Sequence, residues 1–281
     1  MDTAVLGMGH MGSALAARLL ESGHQVVVWN RSKGRADEIV SAGGREAPTV
    51  ADAVRGAGVV ITMLANDDAV RDVALRELRS AIDEVTLYVD CSTVSPSLSG
   101  ELAAAFPGRF VAMPVLGSPA AVRAGQAVLL PGGDRAVVDR LAPLISALSP
   151  NTHRYETPQL ASTAKLSSNL LLLSQMVALS ESFAVGRCGG LSEDQLRELL
   201  GASPLVAPGI ENRFDAILTG SQDGWWSTAL GAKDAGLAID IARERRVDLP
   251  EAQAVLRQYE KAAASGLDRA DVAAVTRLYS R

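Results

Sequence analysis

Gly7-Met8-Gly9-His10-Met11-Gly12 is a GxGxxG turn, set after an apolar strand at residues 4–6 and before a helical run that begins Ser13-Ala14-Leu15. In that context the first glycine makes the tight turn, the second lets backbone approach a pyrophosphate, and the third lets helix pack on strand. The helix N-terminus offers free N–H groups and a partial positive charge to the anion. Met8, His10 and Met11 are therefore expected beside cofactor phosphate, not in acid–base work. The plain alternative is a glycine-rich turn without a ligand. The next strand ends in Trp29-Asn30-Arg31-Ser32. An acidic residue there would hold the 2′-hydroxyl of NAD and repel a 2′-phosphate. Asn30 can hydrogen-bond a phosphate, Arg31 can pair with it and stack on adenine, and Ser32 can donate to it. NADP(H) is the expected cofactor. Farther along, Lys165 and Asn169 stand four residues apart, the spacing that puts two side chains on one helix face. A lysine drawn out of water among Ala, Leu and Ser has its pKa lowered toward the working pH, which suits a general acid–base. A snorkelling surface lysine is the other reading of the same spacing.

The elements that must position these groups follow from the pattern. Residues 4–6, 25–29, 59–64, 87–90, 110–113 and 128–131 are short runs rich in Val, Leu and Ile; helical stretches at 13–22, 31–42, 49–56, 69–82 and 95–105 separate them. Strands apolar on both faces and spaced by helices predict a mostly parallel, doubly wound sheet. The pattern changes near residue 155: from 158 to 187 a single long helix is expected, with Pro158 in its first turn. Only helical patterns follow, at 192–200, 209–218, 225–244, 250–264 and 272–279. The expected fold is α/β: a Rossmann domain over 1–157, then an all-helical domain over 158–281, joined by the long helix. Because that helix is apolar most of the way round, a homodimer is expected.

Composition narrows the function. The 281 residues are 48% apolar and 21% charged, enough for a sizeable core. With 27 basic against 32 acidic residues the net charge is −5, so nucleic acid is a poor partner. Cys91 and Cys188 lie far apart and the three histidines, His10, His24 and His153, are scattered, so no metal site is expected. No secretory signal is legible at the start, and the longest apolar neighbourhood, 170–179, is too short to span a bilayer. A soluble, cytoplasmic protein is expected.

Taken together, Gly-x-Gly-x-Met-Gly, Trp29-Asn30-Arg31-Ser32, Asp90-Cys91-Ser92-Thr93, Pro114-Val115, Lys165-x-x-x-Asn169 and Lys233-Asp234-x-x-Leu237-Ala238 resemble the β-hydroxyacid dehydrogenase family over essentially the whole chain. That family includes 3-hydroxyisobutyrate dehydrogenase and the glyoxylate/succinic semialdehyde reductases; the larger 6-phosphogluconate dehydrogenases share its plan. The resemblance implies a substrate held beside the nicotinamide in a cleft between a Rossmann and a helical domain. It implies Lys165 as general acid–base and Asn169 as its or the substrate's support. Leu64, Thr93 and Lys233 fall to the cofactor, and Ser92 and the loop Leu116-Gly117-Ser118 to the substrate.

The chain departs from the family at that loop, which usually reads Pro-Val-Ser-Gly-Gly. Leu116 cannot hydrogen-bond a carboxylate, and an unpaired carboxylate in a closing site is costly. Ser118 stands two residues away. Trp225 and Trp226 are expected either to wall an apolar pocket, with Trp226 as the substrate contact, or to pack between helices. These departures raise imine reductase chemistry as the alternative, since imine reductases resemble this chain in plan, strand end and NADPH use. A non-catalytic NADP-binding sensor is the second alternative.

Overall fold

In a computed structural model, which describes residues 2–279, the chain forms two compact units that divide between Lys165 and Leu166. The first is built on six strands: β1 (Asp2–Leu6), β2 (Gln25–Trp29), β3 (Arg45–Glu46), β4 (Val59–Thr62), β5 (Leu87–Asp90) and β6 (Phe110–Ala112). They lie in the order β3-β2-β1-β4-β5-β6 and every pair is parallel. β4 and β5 are buried along their whole length. Alternate residues feed two cores, one on each face. Leu15, Ile61 and Val89 belong to one; Leu6, Val60, Tyr88 and Phe106 belong to the other. The chain reverses its direction of travel between β1 and β4, which opens a crevice at the C-terminal strand ends. The last rung there runs Trp29, Leu6, Thr62, Asp90, Ala112.

Several expectations need correction. The helix expected over 31–42 is cut to Asp37–Ser41. Asn30 Nδ2 donates to the Ser32 carbonyl at 2.8 Å, and Gly34 takes a φ of +76°, so residues 31–36 stay an open loop. The run at 128–131 does not join the main sheet. As β8 (Val128–Leu129) it pairs antiparallel with β7 (Val115–Leu116). After β7 comes a short helix, Pro119–Arg123, capped by Ser118, whose Oγ accepts the Ala121 N–H at 3.1 Å. Ser95-Pro96 starts the helix Pro96–Ala105 in the same way.

The long helix is Pro158–Cys188. Its opening turns belong to the first unit because Ala161 packs in the sheet's core and Ser162 Oγ lies 2.7 Å from Ser99 Oγ. By length and composition it is long and apolar enough to cross a membrane, contrary to the reading of 170–179 alone. Leu173, Met176, Leu179 and Phe183 on it are nevertheless core residues of the second unit, packed with Phe214, Ile217, Tyr259 and Val272. The other helices there are Glu193–Gly201, Glu211–Thr219, Thr228–Glu244 and Pro250–Ala262, followed by the 3-10 turns of Val272–Tyr279. A buried ion pair ties this unit together. Arg213 Nε donates to Asp271 Oδ1 at 2.9 Å, and Asp271 Oδ2 accepts the N–H groups of Trp225 and Trp226.

Candidate active site

The GxGxxG turn has the shape that a pyrophosphate requires. Gly7 has a φ of +107°, and a Cβ there would come within 2.3 Å of the Met63 carbonyl oxygen and 2.8 Å of Leu64 Cδ2. A Cβ on Gly12 would fall 1.8 Å from the Gly7 oxygen. Gly9 is different: it is exposed, and a Cβ would meet nothing within 4 Å. Two glycines are thus needed by the fold, and the middle one leaves an open approach to backbone. The helix His10–Glu21 begins directly after Gly9 with no capping side chain, so its first N–H groups face that approach. A dinucleotide pyrophosphate fits this cradle.

Asn30 does not project freely. Its Oδ1 accepts the Met8 N–H at 2.9 Å, which fastens the end of β2 to the turn. Arg31, Ser32 and Lys33 remain exposed on the open loop beyond it. On the other side of the crevice, Ser92 Oγ accepts the Leu64 N–H at 2.9 Å. Ser92 is buried, 2% exposed, so its hydroxyl acts first as a tie between the ends of β4 and β5, a task its sequence position did not disclose. Thr93, the next residue, is half-buried. Beneath Ser92 lies Asp90, fully buried, whose Oδ1 accepts from Thr62 Oγ1 at 2.7 Å and from the Ser92 N–H at 3.1 Å. Burial raises the Asp90 pKa, against the opposing pull of hydrogen bonds from Ser92 and Thr62.

Lys165 is half-buried, and its Nζ donates to the Val115 carbonyl at 2.7 Å. The first unit thereby brings the lysine to the loop that carries Leu116, Gly117 and Ser118. Leu116 is half-buried and pairs with Val128 across the two-stranded sheet. Gly117 has a φ of +140°, which disfavours any side chain there, and a Cβ would sit tightly against Ala121 and Ala127 at 3.3 Å. The Ser118 oxygen is used as the helix cap, which leaves its O–H proton to donate.

In the second unit Asn169 is buried and donates from Nδ2 to Asp234 Oδ2 at 2.8 Å. Lys233 Nζ lies 2.9 Å from Asp234 Oδ1. One buried carboxylate therefore orients both residues. The Lys233–Asp234 ion pair is the plain alternative to a cofactor role that adjacency already allowed; the bond from Asn169 to Asp234 spans 65 residues of sequence. Trp226 is 7% exposed and lies in the helical core, while Trp225 is half-buried with the Arg213 guanidinium over its ring at 4.6 Å. The two indoles stack with centroids 6.3 Å apart. Of the two roles expected for this pair, packing is the one visible within the unit.

Comparison with known proteins agrees with this geometry. The family described as the NAD binding domain of 6-phosphogluconate dehydrogenase matches residues 2–156. The family described as NAD-binding of NADP-dependent 3-hydroxyisobutyrate dehydrogenase matches residues 160–279. The chain is similar to an uncharacterized oxidoreductase, YfjR, of Bacillus subtilis, at 32% identity over 98% of each chain. It is also 31% identical to an NAD-dependent L-serine dehydrogenase of Pseudomonas aeruginosa, again over 98% of each chain. Among solved structures, a 3-hydroxyisobutyrate dehydrogenase of Salmonella typhimurium shares the fold with a TM-score of 0.91 at 23% identity, covering 99% of both chains. An imine reductase from a Pseudomonas species shares it more distantly, with a TM-score of 0.64 at 21% identity over 98% of both. A glycine turn shaped for a pyrophosphate, an amine donor at the Pro-Val loop, two family models that together span residues 2–279 and whole-length relatives lead to one conclusion: the chain belongs to the NAD(P)-dependent β-hydroxyacid dehydrogenase family of oxidoreductases.

Proposed function

We propose that this protein is an NADP(H)-dependent, 3-hydroxyisobutyrate dehydrogenase-like enzyme that interconverts a semialdehyde and its β-hydroxyacid, with Lys165 as general acid–base. The observation that carries the reading is the 2.7 Å hydrogen bond from Lys165 Nζ to the Val115 carbonyl, which seats an amine donor at the loop 114–118. Bound NADPH supplies the hydride. As the carbonyl carbon accepts it, Lys165 gives a proton to the oxygen; in the reverse direction the neutral amine takes the hydroxyl proton. The backbone of Gly7, Met8, Gly9, His10, Met11 and Gly12 holds the pyrophosphate. Arg31 and Ser32 read the 2′-phosphate, with Asn30 setting the strand end from which they project. Leu64 and Thr93 face the nicotinamide end, Lys233 serves the cofactor, and Asn169 positions the substrate.

The carboxylate of a small hydroxyacid falls to the Ser118 O–H, since Leu116 has no donor. That single apolar residue favours a second reading, in which the substrate is an uncharged carbonyl or a cyclic imine. NADPH oxidation across a panel of semialdehydes, simple carbonyls and cyclic imines, with NADH in parallel, separates the two. Preference for carboxylate-bearing semialdehydes supports the dehydrogenase reading; preference for imines transfers the chain to the second. NADPH binding without turnover of any of them refutes both in favour of a sensor. We further propose a cytoplasmic homodimer, with residues 158–281 as the substrate and dimerisation domain. Leu171 and Val185, 62% and 74% exposed on the long helix, support the dimer, and the two free thiols Cys91 and Cys188 suit a reducing compartment.

A further inference from the structure

Asp90 opens the Asp-Cys-Ser-Thr run, yet nothing in the proposed chemistry uses it. It is 1% exposed at the last rung of the sheet, directly across from Thr62 in the β4–β5 register. The hydroxyl of Thr62 donates its one proton to Asp90 Oδ1 at 2.7 Å, so the Tyr88 hydroxyl, 2.9 Å from Thr62 Oγ1, donates to Thr62. Tyr88 and Thr62 are both fully buried. Above the rung, Asp90 Oδ1 takes the Ser92 N–H at 3.1 Å, and Ser92 Oγ takes the Leu64 N–H at 2.9 Å. The polar chain therefore runs Tyr88, Thr62, Asp90, Ser92, Leu64, from the interior of the sheet to the crevice edge. Such a chain is costly to bury, the more so because Asp90 Oδ2 is itself buried with no hydrogen-bond partner among the described residues. A purely apolar floor would close the same space without it.

Leu64 and Thr93 are the two residues that the proposed function places at the nicotinamide end, and both hang on Ser92. We infer that Asp90 is a positioning residue for hydride transfer, fixing Ser92 and, through it, the Leu64 and Thr93 backbone on either side of the crevice. This rests on the functional reading above. Asp90 touches neither substrate nor cofactor, and its effect is on where the reacting groups stand. Small displacements of this kind are enough to slow a chemical step by roughly 10- to 100-fold.

The test compares Asp90→Ala, Asp90→Asn and Ser92→Ala with the wild type in NADPH-dependent reduction of the best panel substrate. The readouts are kcat, KM for NADPH, the melting temperature, and the primary isotope effect with NADPH deuterated at the transferred position. Asp90→Ala and Ser92→Ala should lower kcat by about tenfold or more and raise the isotope effect, because hydride transfer becomes the slow step. Asp90→Asn keeps an acceptor for Thr62 and Ser92 and should restore kcat to within about threefold. Ser92→Ala keeps the test decisive should Asp90→Ala fail to fold. An active wild type whose Asp90→Ala and Ser92→Ala forms lose melting temperature but keep kcat and isotope effect would overturn this inference alone. A wild type that turns over nothing would overturn the functional reading and this inference with it.

Discussion

Lys165 donates from Nζ to the carbonyl oxygen of Val115 at 2.7 Å, across 50 residues of sequence. The contact joins the first turns of the long helix to β7, and it does so with an amine rather than an apolar side chain. A backbone carbonyl can only accept, so the lysine is the donor in this anchor and its amine is held facing the loop. In the proposed mechanism the same bond orients the amine for protonation of the substrate's carbonyl oxygen.

The proposed preference for NADPH rests on Arg31. It is exposed beyond Asn30, and no carboxylate stands at the strand end. Arg31→Ala should weaken NADPH by roughly tenfold or more, the loss of one charge-assisted phosphate contact, and leave NADH within about twofold. Fluorescence titration of both cofactors checks it. An equal effect on NADH and NADPH contradicts the assignment.

Asp234 is expected to govern the second unit's polar cluster. With Asp234→Ala, the buried Asn169 and the half-buried Lys233 lose their shared acceptor. The expected destabilisation is about 2–4 kcal/mol. Urea unfolding followed by tryptophan fluorescence in a Trp29→Phe background, where only Trp225 and Trp226 emit, reports on this unit. A midpoint identical to the wild type contradicts the assignment.

How much of this was readable beforehand divides along a physical line. The glycine turn and the Asn30-Arg31 strand end are local patterns, whereas the roles given to Lys165 and Asn169 come from the resemblance, since their four-residue spacing equally suits a snorkelling surface lysine. β1, β2, β4, β5 and β6 were legible because buried strands are continuous apolar runs. β3 was not: Arg45 and Glu46 are exposed and have no apolar pattern. β7 was read as loop because Val115-Leu116 is too short to show alternation. The Ser118-Pro119 pair did carry a helix-start signal, the same one that marks Ser95-Pro96. The Asp234–Asn169 and Asp90–Ser92–Leu64 ties are tertiary, and nothing in the spacing of those residues announces them.

The pH dependence of stability tests the burial of Asp90. Its pKa is raised above the ordinary 3.8 by burial, with Tyr88, Cys91 and Asp67 the titratable groups around it. A carboxyl with a raised folded pKa contributes stability fully below its unfolded value and loses it as pH rises through the folded one. Asp90→Asn removes that dependence. The wild type's melting temperature should therefore fall relative to Asp90→Asn as pH goes from about 4 to about 8. A gap that stays constant across that range contradicts it.

The dimer is addressed at Leu171. A charge there, as in Leu171→Glu, should leave the fold intact and convert the protein to a monomer in light scattering. Monomeric wild type at micromolar concentration contradicts the assembly.

The most direct measurement is single-turnover reduction by Lys165→Ala and Lys165→Arg. Arginine keeps a donor for Val115 but does not release its proton at working pH. Both variants should lose the hydride-transfer step by about 100- to 10,000-fold while binding NADPH within about threefold of the wild type. Reduction by either variant at the wild-type rate would contradict Lys165 as the proton donor.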